Sequence, residues 1–212
     1  NLGDSQKNMG PEAIDRLVGE LEKDLAWMAP PAGVSVIATG DIILNTTVID
    51  ALTSGRLEMT LLGLILIFLL LLIIYRNLTK AFLVVLPMVV VIGWMGLVMY
   101  YGGIKYTPLT ATLGALVLGV GSEYAILMME RFYEELKKES DPLKAIKITV
   151  NRIGSALVAS GMTVFCGFAA LVASPFDIIS NFGLVTVLSV VFALLTTFTV
   201  LIVLMIRMER EI

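Results

Sequence analysis

From residue 59 onward, long runs of apolar residues alternate with short polar stretches. Five runs approach the roughly 20 residues that a helix needs to cross a bilayer, and they lie at about residues 59–74, 81–100, 109–129, 153–172 and 184–206. The hydrophobic content of 58% exceeds the roughly 45–50% of soluble domains, and the mean hydropathy is +0.92. The pattern predicts an α-helical polytopic membrane protein with a five-helix transmembrane domain over residues 58–207.

A different pattern covers residues 1–57. Apolar residues recur at helical spacing between residues 14 and 25, a β-branched stretch at residues 34–39 predicts a short strand, and helix is predicted again from Asp41. A helix–strand–helix piece is too small to bury a core by itself. Because the chain also begins with Asn, we expect it to be a piece of a larger protein.

The distribution of basic residues predicts the orientation in the membrane. Ten Lys and Arg residues flank the spans on one side, against five on the side that includes residues 1–57. The excess of positive charge in short loops marks the cytoplasmic side, so residues 1–57 are predicted to be extracytoplasmic and the C-terminus cytoplasmic. Three tyrosines then fall at the outer interface, where aromatic residues are enriched: Tyr100, Tyr101 and Tyr106.

The charged stretch at residues 130–152 is predicted to be a cytoplasmic amphipathic segment lying on the membrane surface. Glu134 and Lys138 have the spacing of a favourable ion pair on a helix. Asp141 and Pro142 have the signature of a second helix start.

Glu123 is the most informative residue, because it lies deep inside the third apolar run. A carboxylate near the middle of a membrane costs at least about 2.5 kcal/mol, and such residues usually mark ion or proton pathways. The five runs contain no basic residue that could pair with it. The sequence therefore predicts a proton-handling site, with the alternative that Glu123 is neutral and hydrogen-bonds a neighbouring helix.

Small and hydroxyl-bearing residues surround Glu123. Gly119 lies one helical turn before it, Ser122 and Tyr124 adjoin it, and small residues allow neighbouring helices to approach closely. The third run is therefore predicted to be a central helix, with Tyr124 as the second member of a proton relay. The fourth run offers two supporting hydroxyls, Ser160 and Thr163.

Several function classes have no support in the sequence. There is no His, and the single Cys166 cannot form an intrachain disulfide. No metal-ligand cluster and no Gly-rich phosphate loop after a strand is found. The net charge of −3 does not suit nucleic-acid binding. We therefore expect no cofactor, no metal, no catalytic residues and no enzyme activity.

These motifs resemble the RND superfamily, and within it the MmpL-like exporters of hydrophobic and amphiphilic molecules. The resemblance rests on Gly-Val-Gly-Ser-Glu-Tyr at residues 119–124 and Glu-Arg-Phe-Tyr-Glu-Glu at residues 130–135. Ile-Gly-Ser-Ala at residues 153–156 and Asn-Phe-Gly-Leu at residues 181–184 fit the next spans of that family. One departure is the Glu at position 123, where the family more usually has Asp.

The resemblance implies that the chain is part of one RND half-repeat. Residues 1–57 would be the α/β remnant of an external porter domain, followed by five transmembrane helices. It also implies an exporter of lipids or other hydrophobic molecules, driven by the proton-motive force, with Glu123 and Tyr124 as the relay. The partners it implies are the bilayer, a hydrophobic substrate, and the other half-repeat or further copies of the chain.

Two relatives within the superfamily remain as alternatives. A sterol-sensing-like receptor would bind lipid without pumping. A SecDF-like accessory would couple protons to protein secretion, but that type usually carries Asp-Arg where this chain has Glu123 and Tyr124.

Overall fold

The computed structural model describes residues 19, 20, 23, 24, 27, 55–104, 108–139 and 141–210. The chain divides into two compact units, residues 1–54 and residues 55–212. The strand predicted at residues 34–39 and the interfacial Tyr106 lie outside the described residues. Within the described residues no strand is present, so the α/β character predicted for residues 1–57 is not confirmed.

The second unit is built from helices. In chain order they are α1 (Arg56–Tyr75), α2 (Leu78–Tyr101), the short α3 (Pro108–Ala111), α4 (Leu113–Leu136), α5 (Pro142–Val172) and α6 (Asp177–Thr196). A π-helical turn, Thr197–Leu201, joins α6 directly to α7, Ile202–Arg210. Among the described residues, five helical stretches are long and apolar enough to cross a membrane. The five predicted spans are thus confirmed.

A tight turn reverses the chain between α1 and α2. Arg76 ends α1 in the left-handed conformation, with φ of 49°, and its N–H donates to Leu72 O at 2.8 Å. Asn77 then caps α2, because its side-chain oxygen accepts from Thr79 N at 2.9 Å and from Lys80 N at 3.4 Å. These bonds satisfy backbone groups that a helix end leaves free.

Residues 130–152 form two arms of a helical hairpin rather than one segment lying on the membrane. Residues 130–136 extend α4, and α5 starts at Pro142 and continues without a break to Val172. The predicted start at Asp141 is confirmed, since its carboxylate accepts from Leu143 N at 3.0 Å. The two helices stay packed because Ala145 and Thr149 are fully buried.

Helix α4 lies at the centre of the five-span unit. It contacts α1, α2, α5 and α6, and 44% of its most apolar stretch is buried, a larger share than in the other four spans described. Tyr124, Met128 and Phe132 are almost completely buried along one side of it. The prediction of a central third span agrees with this packing.

A close approach between α5 and α6 depends on Gly183. A Cβ atom at this position would lie 2.8 Å from the backbone oxygen of Phe168 and 2.8 Å from Leu171 Cβ. Since the obstacles include α5 backbone, a larger residue can be accommodated only if the two helices separate. The glycine of the Asn-Phe-Gly stretch near the start of α6 therefore allows α5 and α6 to pack closely.

A buried carboxylate fastens the α4–α5 hairpin. The Glu135 side chain is only 3% exposed, and its Oε1 lies 2.6 Å from Arg131 Nη2, 3.2 Å from Arg152 Nη1 and 3.5 Å from Lys138 Nζ. Glu134 pairs with Arg131 at 2.7 Å, whereas the sequence predicted a pair with Lys138. Because Arg152 belongs to α5, this cluster of ion pairs joins α4 to α5.

We expect Gly183→Ala to lower the free energy of unfolding by about 1–3 kcal/mol, because overpacking forces the helices apart. Gly93→Ala on α2 is the matched control, since a Cβ there meets no heavy atom within 4 Å and should leave stability unchanged or slightly raised. Chemical unfolding of the purified protein in detergent measures both. Equal stabilities of the two variants would contradict the packing argument.

Replacing Glu135 with Gln should destabilise the hairpin by about 1–3 kcal/mol, because it removes the charge of a buried side chain that pairs with three cations. The adjacent Glu134→Gln change serves as control, because that side chain is 56% exposed and exposed pairs contribute about 0–1 kcal/mol. Proteolysis at the α4–α5 turn and thermal unfolding would report the difference. A Glu134 variant as unstable as the Glu135 variant would refute the role of burial.

Candidate functional site

Glu123 lies on the exposed side of the central helix. It follows Leu113, the first residue of α4, by ten positions, which places it about 15 Å along the helix at 1.5 Å per residue. Ala115, Gly119 and Leu127 lie on the same side at helical spacing and are also exposed. We call this surface, made by Ala115, Gly119, Glu123 and Leu127, the Glu123 face.

Tyr124 points in the opposite sense, into the bundle. It is 1% exposed, and its hydroxyl lies near that of Ser160 on α5. Ser160 is itself exposed beside the Glu123 face. The structure thus brings together two of the predicted relay residues, Tyr124 and Ser160, across the α4–α5 contact.

Other predicted residues are engaged within their own helices. Ser122 Oγ donates to Gly119 O at 2.8 Å, and Thr163 Oγ1 donates to Ala159 O at 3.0 Å. A Cβ at Gly119 would meet no heavy atom within 4 Å, so this glycine keeps the Glu123 face flat. In the described part of the chain, the ion pairs centre on Glu134 and Glu135, and Glu123 takes part in none.

A groove between α4 and α5 continues the Glu123 face toward the hairpin turn. It encloses about 370 Å³. Its lining combines apolar residues with charged ones: Leu127, Glu130, Arg131, Glu134, Ile153, Ala156, Leu157 and Ser160. We call it the α4–α5 groove. Sequence analysis missed it, although the spacing of Leu127 and Glu130 from Glu123, four and seven residues, places them on one helix face.

The chemistry of this site is that of carboxylates and hydroxyls. Among the described residues, no group of three His, Cys, Asp or Glu side chains could hold a metal ion. Glu123 and Glu130 are the carboxylates that α4 contributes, and the hydroxyls of Tyr124 and Ser160 lie at the contact between α4 and α5.

Five long apolar helices, of which the central one carries a carboxylate within its apolar stretch, define a multi-pass membrane protein. The chain belongs to the MMPL family, whose sequence model matches residues 1–209. It therefore is a membrane protein of this transporter family, as its family resemblance predicts.

Three relatives illustrate the range of the family. A Methanocaldococcus jannaschii protein, named as a membrane protein, is 31% identical over 99% of this chain and 53% of its own length. A Mycobacterium bovis protein, named as transport protein MmpL8, is 26% identical over 99% of this chain and 19% of its own length. The apo-petrobactin exporter of Bacillus anthracis is 24% identical over 72% of this chain and 21% of its own length. The chain thus spans about half the length of the first relative and far less of the others.

The hydroxyls of Tyr124 and Ser160 lie near each other across the α4–α5 contact, and we expect a coupling energy of about 0.5–1.5 kcal/mol between them, the range of interhelical hydrogen bonds in membranes. A double-mutant cycle with Tyr124→Phe and Ser160→Ala, read by unfolding in detergent, measures it. The control cycle pairs Tyr124→Phe with Thr163→Ala, whose hydroxyl bonds within α5, and should be additive. Additive effects in both cycles would contradict this coupling.

Proposed function

We propose that this chain is part of an exporter that uses the proton-motive force to move lipids or other hydrophobic and amphiphilic molecules. Membership of the MMPL family, and relatives named as an exporter and as a transport protein, support transport rather than enzymatic catalysis. In this proposal residues 1–57 are extracytoplasmic, as the end of a porter domain, and the C-terminus is cytoplasmic.

The observation that carries the proposal is the exposed position of Glu123 in the middle of α4. An uncovered carboxylate facing lipid costs at least about 2.5 kcal/mol, so this face is expected to pack against protein or to border water. No cation among the described residues pairs with it. A carboxylate without a fixed counter-charge can change its protonation state during a cycle, and Tyr124 is the adjacent hydroxyl that supports the relay.

The cover for the Glu123 face is proposed to be the other half-repeat or a second copy of the same chain. The relatives support both arrangements. The matched segment makes up 53% of the M. jannaschii protein, which leaves no room for a second segment of equal length. In the M. bovis protein it makes up 19%, and a second such segment fits within the same chain.

Proton transfer through Glu123 would supply a moderate driving force. One charge crossing 100 mV yields about 2.3 kcal/mol, and one pH unit adds about 1.4 kcal/mol. Together these sustain a substrate gradient of roughly a few hundred-fold per proton. Protonation changes the charge on the Glu123 face, so it changes how α4 packs against its cover, and this movement would drive the external domain.

The test is transport by the full-length protein in proteoliposomes under an imposed pH gradient. We expect Glu123→Gln to reduce gradient-driven proton flux to the level of protein-free vesicles, and Glu123→Asp to retain part of it, because only a titratable group can relay protons. Glu58→Gln is the control, since Glu58 is an exposed carboxylate in the first turn of α1.

Unchanged flux in the folded Glu123→Gln variant would show that Glu123 has a structural role. Lipid binding without gradient-driven flux in the wild type would favour a sterol-sensing-like receptor. Protein secretion driven by the gradient, without lipid movement, would favour the SecDF-like alternative.

A further inference from the structure

The α4–α5 groove starts at the Glu123 face and ends among charged residues at the hairpin turn. We propose that it is a hydrated path along which protons pass between Glu123 and the aqueous phase at that end, with Glu130 as the terminal carboxylate. This inference rests on the proposed function and adds to it the route and its second titratable residue.

Helix geometry makes the groove continuous with the Glu123 face. Leu127 lies one turn and Glu130 two turns beyond Glu123, on the same side of α4, and both line the groove. The rise from Glu123 to Glu130 is about 10 Å. This distance is too long for direct proton transfer, so the path requires water or hydroxyl groups in between.

The groove has room for water and contains a hydroxyl group. Its volume of about 370 Å³ is many times the roughly 10–15 Å³ that one water molecule needs. Ser160 supplies a hydroxyl in its wall, near that of Tyr124. Glu130, Arg131 and Glu134 supply polar partners at the other end, as water in a cavity requires.

Polar groups from α1, α2 and α4 lie around Glu130. From α1, the Tyr75 hydroxyl lies near its carboxylate. From α2, Lys80 Nζ lies 5.8 Å from the Tyr75 ring and 4.3 Å from the Tyr133 ring. On α4 itself, both terminal nitrogens of Arg131 are occupied by Glu134 and Glu135. Glu130 is exposed, so its carboxylate is accessible at this end of the groove.

Cysteine accessibility tests hydration of the groove independently of transport. In the full-length protein with Cys166→Ser, we expect Ser160→Cys and Ala156→Cys to react with a charged, membrane-impermeant methanethiosulfonate added to both sides. Met162→Cys, on the same helix and 48% exposed, faces away from the groove and should react roughly tenfold or more slowly, because the reactive thiolate forms only in water. If both groove positions react as slowly as Met162→Cys, the hydrated path is refuted.

Proton flux under a pH gradient tests the route itself. Ala156→Phe fills the groove without altering a titratable group, and Glu130→Gln removes its terminal carboxylate, so each should reduce proton flux well below that of the wild type. Val158→Phe is the matched control, because Val158 is 44% exposed and lies outside the groove lining. Wild-type flux in both groove variants would overturn the proposal.

The two proposals fail in distinguishable ways. If the wild type shows gradient-driven proton flux but the groove cysteines are not labelled, the hydrated path is overturned and the exporter proposal stands. A labelled groove with no gradient-driven flux by the wild type would overturn the exporter, and the proton path together with it.

Discussion

The hydrocarbon interior of a membrane offers no water to polar groups, and this constraint shapes every helix of residues 55–212. Hydroxyl side chains inside the spans are satisfied locally by donating to carbonyls of the preceding turn. Thr149, Thr186, Ser189 and Thr197 do so at 2.7–2.9 Å. Against this background, an exposed carboxylate in mid-span cannot be an incidental surface residue.

The same constraint places most of the remaining described charges of residues 55–210 at the hairpin end of the bundle, while Glu58 and Asp177 lie in the first turns of α1 and α6 at the opposite end. There the last turns of α4 meet the start of α5, and the Glu135 cluster ties the two together. Tyr75 and Tyr133 lie near Glu130 and Glu209, while Lys80 lies over the Tyr133 ring. A long side chain can keep its charge near water while its stem covers apolar surface. Polar groups from α1, α2, α4, α5 and α7 thus meet at the hairpin end, beside the α4–α5 groove.

Most of the membrane architecture could be predicted from the sequence, because length and hydropathy alone identify a span. The five spans, the central third helix and the α5 start at Asp141 all followed from local patterns. The hairpin did not, since the charges at residues 130–152 suggested a solvated segment. The pattern did not reveal that Glu135 is buried against arginines from two helices, because ion pairing across helices depends on tertiary contacts.

Some features of the candidate site could likewise be predicted from the sequence, and others could not. Glu123 stands out in the sequence because its surroundings are apolar, and the Tyr124–Ser160 contact joins two residues that were predicted separately. The groove could not be predicted, because its lining comes from both α4 and α5 and depends on how the two helices pack. Ser122 and Thr163 were assigned to the relay by their chemistry, yet their hydroxyls donate to carbonyls of their own helices.

Helix α4 carries two glutamates, Glu123 and Glu135, in opposite environments. Glu135 is buried among three cations, and such a pair breaks at a high energetic cost, which suits a residue that holds helices together. Glu123 is exposed on a face of small residues, without an ion pair among the described residues. The proposed pump needs both a fixed hairpin end and a site whose charge varies, and α4 connects Glu135 to Glu123 over about 18 Å of continuous helix.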